Sequence, residues 1–253
     1  MQRIDTEKLT IKEGNCFAPL PEEGDYYKEN LLYCGNCNTP RQAIHEPFGT
    51  VPVQCRCRED AEARDERRRK RDALAERIAD KSLIRHCFAD DDRRYDLHAV
   101  YAYAEEWEDR FAKNRGLILT GDVGVGKTFA ASCLVNALLD KGVSANIFSL
   151  GELTDVFGSY YTSEETKESY RSKIRHAKLI AIDEFDLAQK SDHVLGVCFE
   201  IIDMRYRTDM PILITTNTMP KAIVTERSMI KRKIYDRIRT CEVAVIEGQS
   251  RRR

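Results

Sequence analysis

The residues with the plainest chemistry form one run of eight: Gly121, Asp122, Val123, Gly124, Val125, Gly126, Lys127 and Thr128. Their spacing fits the pattern G-x-x-x-x-G-K-[ST], which cradles the phosphates of a nucleotide. Glycines let backbone N–H groups turn inward toward an anion, and the amino end of the following helix adds its dipole. Lys127 would reach the β- and γ-phosphates, and the Thr128 hydroxyl would bind Mg²⁺. The loop therefore predicts a site for a nucleoside triphosphate.

Two adjacent carboxylates, Asp183 and Glu184, end the apolar run that begins at residue 179. The carboxyl end of a parallel strand faces the ligand crevice, so both carboxylates belong near the phosphate loop. Asp183 would share Mg²⁺ with Thr128, and Glu184 would polarise a water for in-line attack on the γ-phosphate. We interpret the pair as favouring hydrolysis over transfer to a bound small molecule.

Another apolar run, 211–214, ends in Thr215, Thr216 and Asn217. An amide both donates and accepts hydrogen bonds, so Asn217 could orient the attacking water or contact the γ-phosphate. An asparagine also commonly closes a strand in an Asx turn, which requires no catalytic role. The order of the motifs favours the catalytic interpretation.

Four of the nine cysteines, Cys34, Cys37, Cys55 and Cys57, fall in one turn-rich stretch. Two close pairs joined by a loop suit tetrahedral coordination of Zn²⁺, and a segment so poor in apolar residues would gain folding energy from the metal. The second pair is C-x-C rather than the commoner C-x-x-C, so His45 could replace one thiolate. Four free buried thiols are the alternative. We interpret the stretch as a zinc-binding module.

The elements that must position these residues follow from the hydrophobic pattern. Apolar runs bounded by turn residues predict five strands, at 116–120, 146–150, 179–183, 211–215 and 243–246. Segments of helical period separate them, near 97–113, 127–141, 164–176, 194–208 and 226–239. Nearly continuous apolar strands that alternate with helices predict a five-stranded parallel sheet covered on both faces.

A change of composition divides the chain. The run from Arg58 to Lys81 is highly charged and contains neither Gly nor Pro, so it predicts a solvated helix. We therefore predict a zinc module over 1–57, a charged helical linker over 58–83 and an α/β nucleotide-binding domain over 84–253.

Composition excludes several other classes. The counts of 41 Lys and Arg against 42 Asp and Glu rule out a basic coat of the histone kind, and 42% hydrophobic residues suffice for a core. No run of 18 or more apolar residues occurs, and the first residues mix both charges without an apolar segment. These features predict a cytoplasmic protein without a membrane span.

The order of phosphate loop, acidic strand and asparagine-ended strand resembles the AAA+ ATPases, and among them the replicative helicase loaders of the DnaC/DnaI type. The likeness extends to the blocks 200–206, 235–238 and 248–252 and covers roughly 84–253. The IstB-type transposition helper ATPases share nearly all of this core. An amino-terminal zinc domain that docks on the helicase is a feature of DnaI-type loaders, so the cysteine module favours a loader.

The resemblance implies roles for two arginines. Arg237 matches the arginine finger that reaches the ATP of a neighbouring subunit, and Arg252 matches the sensor-two arginine that contacts ATP within its own subunit. A guanidinium suits both roles because it stabilises charge on the γ-phosphate. The nearby Arg232, Arg239 and Arg251 are alternative candidates. An arginine that acts on a neighbour implies self-association through the AAA+ domain.

The resemblance also implies partners. We expect an ATP-dependent loader that docks on a DnaB-type replicative helicase and engages single-stranded DNA, in the cytoplasm of a bacterial or phage-infected cell. Aromatic and basic side chains between the second and third strands suit a single strand, although the tyrosines could equally pack inward, and no DNA contact is assigned. These residues are Tyr160, Tyr161, Tyr170, Arg171, Lys173 and Arg175.

Two alternatives remain open. One is an IstB-like transposase-assisting ATPase that binds duplex DNA, and the other is a nucleotide-gated adaptor with little turnover. A P-loop kinase is disfavoured, because the acidic pair, Asn217 and the late arginines have no natural place in one.

Overall fold

The computed structural model describes residues 10–12, 16–45, 49–76, 78, 81–187, 190–219, 228–248 and 250, without the side chains of 10–12, 16–18 and 45. It divides the chain into two compact units, Met1–Arg69 and Lys70–Arg253. Within the described ranges, no helix is long and apolar enough to cross a membrane.

The first unit contains three antiparallel strand pairs. These are β1 (Thr10–Lys12) with β2 (Cys16–Ala18), β3 (Tyr26–Lys28) with β4 (Leu31–Tyr33), and β5 (Gln42–His45) with β6 (Gly49–Pro52). Glu29 and Asn30 form the turn between β3 and β4 with φ of 51° and 62°, the left-handed geometry that matches the twist of a tight hairpin. Strands this short bury little apolar surface, so the unit depends on another source of stability.

A buried ion pair supports the loop that carries the first cysteine pair. Arg41 is 6% exposed and binds the carboxylates of Asp25 and Glu22. Asp25 also accepts a hydrogen bond from the backbone N–H of Gly35, in the cysteine loop, at 3.2 Å. Burial opposes the charge on Asp25, but backbone N–H groups and Arg41 hold its pKa below the ordinary value. The loop is thereby tied to the preceding turn.

Helix α1 (Arg56–Ala75) overlaps most of the predicted helical linker, but it begins two residues before residue 58 and ends before residue 83. All of its residues are described, and none is buried. Its charged side chains pair along the helix surface, as Arg68 does with Asp65. In the second unit, Arg71 donates to the carboxylate of Asp140 at 2.5 Å and to the amide oxygen of Asn136 at 3.1 Å.

The second unit is a sheet covered by helices. Its helices are α2 (His98–Glu105), α3 (Trp107–Ala112), α4 (Lys127–Asp140), α5 (Leu150–Gly158), α6 (Glu164–His176), α7 (Asp192–Arg207) and α8 (Met229–Ile238). Its strands are β7 (Leu117–Thr120), β8 (Ala145–Ser149), β9 (Leu179–Asp183), β10 (Ile212–Thr216) and β11 (Glu242–Val245). All pair in parallel in the order β11-β7-β10-β9-β8, which confirms the predicted five-stranded sheet.

Alternate residues of β7, β8, β9 and β10 enter two different cores. Leu117 and Leu119 belong to a core shared with Leu134 of α4, whereas Ile118 belongs to the opposite core with Ile201 of α7. This alternation explains why the strands read as nearly unbroken apolar runs, since both faces of the sheet are covered. Strand β10 lies between β7 and β9. The carboxyl end of β10 therefore has the end of the phosphate-loop strand on one side and the end of the acidic strand on the other.

A buried arginine ties the end of α6 to the start of β10. Arg205 is 1% exposed, and burial lowers its pKa to about 9. Its guanidinium donates at 2.7–3.1 Å to four backbone carbonyls, those of Ile174, Ala177, Lys178 and Pro211. Carbonyls that β-pairing and helix formation leave without a partner are satisfied in this way.

The structure corrects two helix predictions. The helix predicted over 97–113 is interrupted at Glu106, whose φ of −90° and ψ of 20° separate α2 from α3. Helix α5 was not predicted, and its first residue, Leu150, was assigned to a strand. The Ser149 hydroxyl accepts the N–H of Glu152 at 3.0 Å and caps α5, so the sequence held a helix-start signal inside an apolar run.

Candidate functional site

The phosphate loop joins the end of β7 to the start of α4. Gly124 and Gly126 have φ of 84° and 91°, a backbone region that residues with a Cβ rarely adopt. Lys127 is 9% exposed, and its ammonium donates to the carbonyls of Gly121 at 2.8 Å and Asp122 at 2.7 Å. The ammonium is therefore held beside the loop, where it could bind phosphate oxygens.

Asp183 lies at the end of β9 with its carboxylate between two hydroxyls. Thr128 donates to its two oxygens at 2.8 and 3.1 Å, and Thr215 donates to one of them at 2.5 Å. Asp183 is only 3% exposed. A carboxylate beside a threonine hydroxyl supplies the oxygen ligands that Mg²⁺ prefers, so this pair fits the metal that the sequence predicts.

Thr215 is a site residue that the sequence analysis placed at a strand end without a role. Besides its bond to Asp183, its hydroxyl accepts the backbone N–H of Glu184 at 3.0 Å. Its carbonyl accepts the N–H of Phe185 at 2.8 Å. Thr215 therefore fixes both members of the acidic pair. No sequence signal marks this role, because it depends on the pairing of β10 with β9.

Glu184 turns sharply out of β9. Its φ of 57° lies in the left-handed region, which costs a residue with a side chain about 1 kcal/mol and recurs at functional sites. The exposed Glu184 lines a cavity of about 230 Å³. The other lining residues are Val123, Gly124, Gly126, Lys127, Thr128, Asp186, Thr215, Thr216 and Asn217. The structure thus brings the phosphate loop, the acidic pair and Asn217 to one cavity.

The structure also places Asp186 at this cavity, a residue that the sequence analysis did not single out. Its carboxylate accepts hydrogen bonds from the Thr216 hydroxyl at 2.9 Å and from the Asn217 backbone N–H at 2.8 Å. It also accepts one from the Asn217 side-chain amide at 2.6 Å. The pattern D-E-x-D is the feature that could have drawn attention to it.

Arg237 is not among the described residues that line this cavity. It pairs with Asp203 at 3.0 Å and Asp236 at 2.8 Å, and its guanidinium lies 4.5 Å from the centre of the Tyr206 ring. The hydrogen bond to Asp203 raises the pKa of Arg237. Within one chain, the structure therefore separates Arg237 from the phosphate loop.

Arg252 lies outside the described residues, but the segment before it lies beside the phosphate loop. The N–H of Ile246 donates to the Thr120 carbonyl at 2.7 Å. A Cβ built on Gly124 would come within 2.1 Å of the Ser250 hydroxyl oxygen. Ser250 therefore lies against the loop, close enough to exclude a side chain at position 124.

The aromatic and basic residues between β8 and β9 divide into two kinds. Tyr170 packs against Phe148 and Phe157, and its hydroxyl donates to Glu152 at 2.6 Å. Burial and this bond raise its pKa to about 12. Tyr160 and Tyr161, by contrast, are 97% and 100% exposed. The inward-packing alternative holds for Tyr170 and not for the other two.

The four clustered cysteines of the first unit converge. Their sulfurs all lie within 4.8 Å of one another, and Cys57 Sγ is 3.6 Å from Cys34 Sγ and 3.5 Å from Cys55 Sγ. All four thiols are free. Tetrahedral Zn–S bonds place sulfurs about 3.8 Å apart, so the cluster fits zinc, whereas a disulfide requires about 2 Å. The His45 side chain lies outside the described residues.

The surroundings of Cys37 favour its thiolate, which is the form that binds a metal. The Thr39 hydroxyl lies 3.0 Å from Cys37 Sγ, and this bond lowers the pKa of Cys37 to about 6. The neighbouring thiols of Cys55 and Cys34 raise the pKa of Cys57 to about 12. At neutral pH the cluster therefore combines a thiolate with thiols that must lose protons before they can bind a metal.

The fold and the site together define a P-loop ATPase domain of the AAA+ type, with the acidic strand two places from the phosphate-loop strand and β10 between them. The chain belongs to the family of IstB-like ATP-binding proteins, whose model matches residues 56–253. The resemblance predicted from the motifs is confirmed at this level.

Solved structures and sequence relatives agree with this class. The fold is similar to that of DnaI (TM-score 0.57, 23% identity, 71% of this chain and 99% of that chain). A putative primosome component from Streptococcus pyogenes is comparable (TM-score 0.56, 22% identity, 71% and 98%). In sequence, the chain is 23% identical over 144 residues to the replicative helicase loader DnaC of Escherichia coli K12. It is 28% identical over 139 residues to an insertion sequence IS21-like putative ATP-binding protein of Bacteroides fragilis.

These sequence matches are partial. The aligned region spans 56% of this chain and 56% of DnaC, and 54% and 52% for the Bacteroides protein. The chain therefore spans about half the length of each of these relatives.

We expect Thr215→Val to lower the free energy of unfolding by about 1–3 kcal/mol, because it leaves the Glu184 N–H without its acceptor and removes a donor to the buried Asp183. Urea unfolding measures the change. Thr162→Val is the matched control, since its hydroxyl makes one weak bond of 3.4 Å to the Asp155 carbonyl. Equal stability of the two variants would contradict the role given to Thr215.

Proposed function

We propose that the protein hydrolyses ATP and uses the cycle to load a replicative DNA helicase onto single-stranded DNA. The observation that carries the hydrolysis is the position of Asp183, which is bonded to Thr128 and Thr215 at the edge of the cavity that Lys127 and Glu184 line. These groups match the needs of phosphoryl transfer to water.

In the proposed reaction, Lys127 binds the β- and γ-phosphates beside the phosphate loop. Thr128 and Asp183 hold Mg²⁺, which neutralises phosphate charge when bound. Glu184 accepts a proton from a water whose oxygen attacks the γ-phosphorus. The bond from that phosphorus to the bridging oxygen of the β-phosphate breaks, which yields ADP and inorganic phosphate.

A neighbouring copy would complete the site. Arg237 is 28% exposed and is held by Asp203 outside the cavity of its own chain, and this supports a role toward the ATP of a second copy. The position of Ser250 beside Gly124 supports a role in its own chain for Arg252, two residues further along the sequence. Self-association through the AAA+ domain follows from the first assignment.

The proposed partner-docking element is the cysteine unit, with Zn²⁺ held by Cys34, Cys37, Cys55 and Cys57. The family match begins at residue 56, so residues 1–55, which include three of the four clustered cysteines, lie outside the shared ATP-binding region. A cysteine unit that is added to the shared ATP-binding region supports a role in docking on the helicase. The metal would supply the folding energy that its short strands do not.

The loader task is favoured by the likeness to DnaI in fold and to DnaC in sequence. A second candidate is a transposase-assisting ATPase that acts on duplex DNA, favoured by the match to the IstB-like family and to the insertion-sequence protein. The two candidates share the ATP chemistry and differ in partner and in DNA.

For the hydrolysis, we expect Glu184→Gln to lower kcat by about 10²–10⁴-fold, because an amide cannot accept the proton of water. The Kd of ATP should change by no more than about twofold, since Lys127 and the loop are untouched. Phosphate release and titration with a fluorescent nucleotide measure the two quantities. Glu165→Gln, an exposed carboxylate of α6, is the matched control. Equal turnover in both variants would contradict the assignment.

For the metal, we expect one Zn²⁺ per chain and a release of protons on binding, because Cys57 holds its proton at neutral pH. Affinity should fall with falling pH throughout the neutral range, because Cys57 must lose its proton to bind, and more steeply below about 6, where Cys37 also gains a proton. Competition with a coloured chelator measures both. Cys37→Ser should weaken zinc binding at least about tenfold, and Cys87→Ser, outside the cluster, should not. Equal affinities would refute the site.

For the loader task, native mass spectrometry should show a defined complex with a hexameric replicative helicase of the DnaB type. Stripping zinc or introducing Cys37→Ser should abolish the complex, whereas Cys87→Ser should keep it. Absence of a complex with ATP, with ADP and without nucleotide would refute the loader. ATP turnover stimulated by duplex DNA in that case would establish the second candidate.

A further inference from the structure

The carboxylate of Asp186 gathers three donors from the end of β10, although neither the metal site nor the proton transfer uses it. These donors are the Thr216 hydroxyl, the Asn217 backbone N–H and the Asn217 side-chain amide, at 2.9, 2.8 and 2.6 Å. Asn217 carries an exposed side chain, so this pairing is not required to satisfy a buried group. Asp186 and Asn217 both line the phosphate cavity.

The local backbone directs Asp186 toward β10. The N–H of Asp186 donates to the Glu184 carbonyl at 2.8 Å, which closes a tight turn, and Glu184 itself has a φ of 57°. Phe185, between them, is 2% exposed and anchors the turn in the core. The turn that places Glu184 on the cavity therefore also places Asp186 against Asn217.

The chemistry of this pair decides how the amide is oriented. An ionised carboxylate only accepts hydrogen bonds, so the amide nitrogen of Asn217 must face Asp186, and the opposite orientation would set oxygen against oxygen. The amide oxygen is then turned away from the carboxylate. Asn217 can therefore offer an acceptor to a water in the cavity that it lines.

We propose that Asp186 is a positioning residue that holds the Asn217 amide with its oxygen available to the attacking water. Asn217 is thereby assigned to the water, one of the two roles open from the sequence, because the acceptor oxygen is turned away from Asp186 while the amide nitrogen donates to it. This inference rests on the proposed ATP hydrolysis. It assigns Asp186 to the turnover step and not to nucleotide binding.

The test compares four proteins, Asp186→Ala, Asp186→Asn, Asn217→Ala and the double alanine variant, in steady-state ATP hydrolysis. We expect Asp186→Ala to lower kcat by about tenfold to a hundredfold, as misplacement of a reacting group does. Asn217→Ala should have the same effect, and the double variant should be no slower than either alone. Asp186→Asn offers one acceptor oxygen where the wild-type carboxylate uses two, so it should stay closer in rate to Asp186→Ala than to wild type.

Nucleotide affinity separates the two roles of Asn217. The ratio of affinities for a non-hydrolysable ATP analogue and for ADP should stay within about twofold of wild type, since the γ-phosphate loses no contact. Asp155→Ala, an exposed carboxylate of the same domain, is the control for the change of charge. Thermal unfolding verifies that each variant is folded.

Four results would overturn the proposal: unchanged kcat in Asp186→Ala, effects that multiply in the double variant, a shared loss of the ATP-to-ADP affinity ratio, or an Asp186→Asn variant as fast as wild type. Failure of the proposed function looks different, because wild type itself would then show no turnover. In that case the role of Asp186 in turnover would be refuted as well, whatever the affinities show.

Discussion

The site depends on one hydroxyl, that of Thr215. It donates to the Asp183 carboxylate and accepts the backbone N–H of Glu184, so one side chain of β10 holds both members of the acidic pair at the end of β9. This is possible because β10 lies between β7 and β9, which places a polar strand end between the phosphate loop and the carboxylates. A small group that both donates and accepts is needed there, and threonine is one of the few that fit a buried strand end.

Forces of different kinds stabilise the two units. The second unit buries both faces of its sheet, with alternate strand residues in two apolar cores, and uses Arg205 to satisfy carbonyls that secondary structure leaves without partners. The first unit has strands of three or four residues and relies on a buried ion pair and on the convergence of four thiols. This contrast is the reason that a metal suits the first unit, because short strands leave little apolar surface to bury.

Those parts of the nucleotide site that consist of contiguous residues could be predicted from the sequence. The phosphate loop, the strand before it and the helix after it are contiguous, and all five strands lie within one residue of their predicted bounds. The acidic pair and Asn217 were predicted at strand ends, because apolar runs show where strands stop. Helix α5 was missed because its first residue continues an apolar run, and the cap on Ser149 was outweighed by that pattern.

Which groups could bind phosphate, metal and water follows from the order of the amino acids, since each motif consists of neighbouring residues. How these groups come together depends on the fold. The hydrogen bond between Thr215 and Asp183 joins residues 32 positions apart, and the bond between Asp186 and Asn217 joins residues 31 apart. Such contacts depend on which strands pair and on the turn after each strand. The spacing of residues along the chain does not reveal which strands pair, because the strands of the sheet are not arranged in chain order.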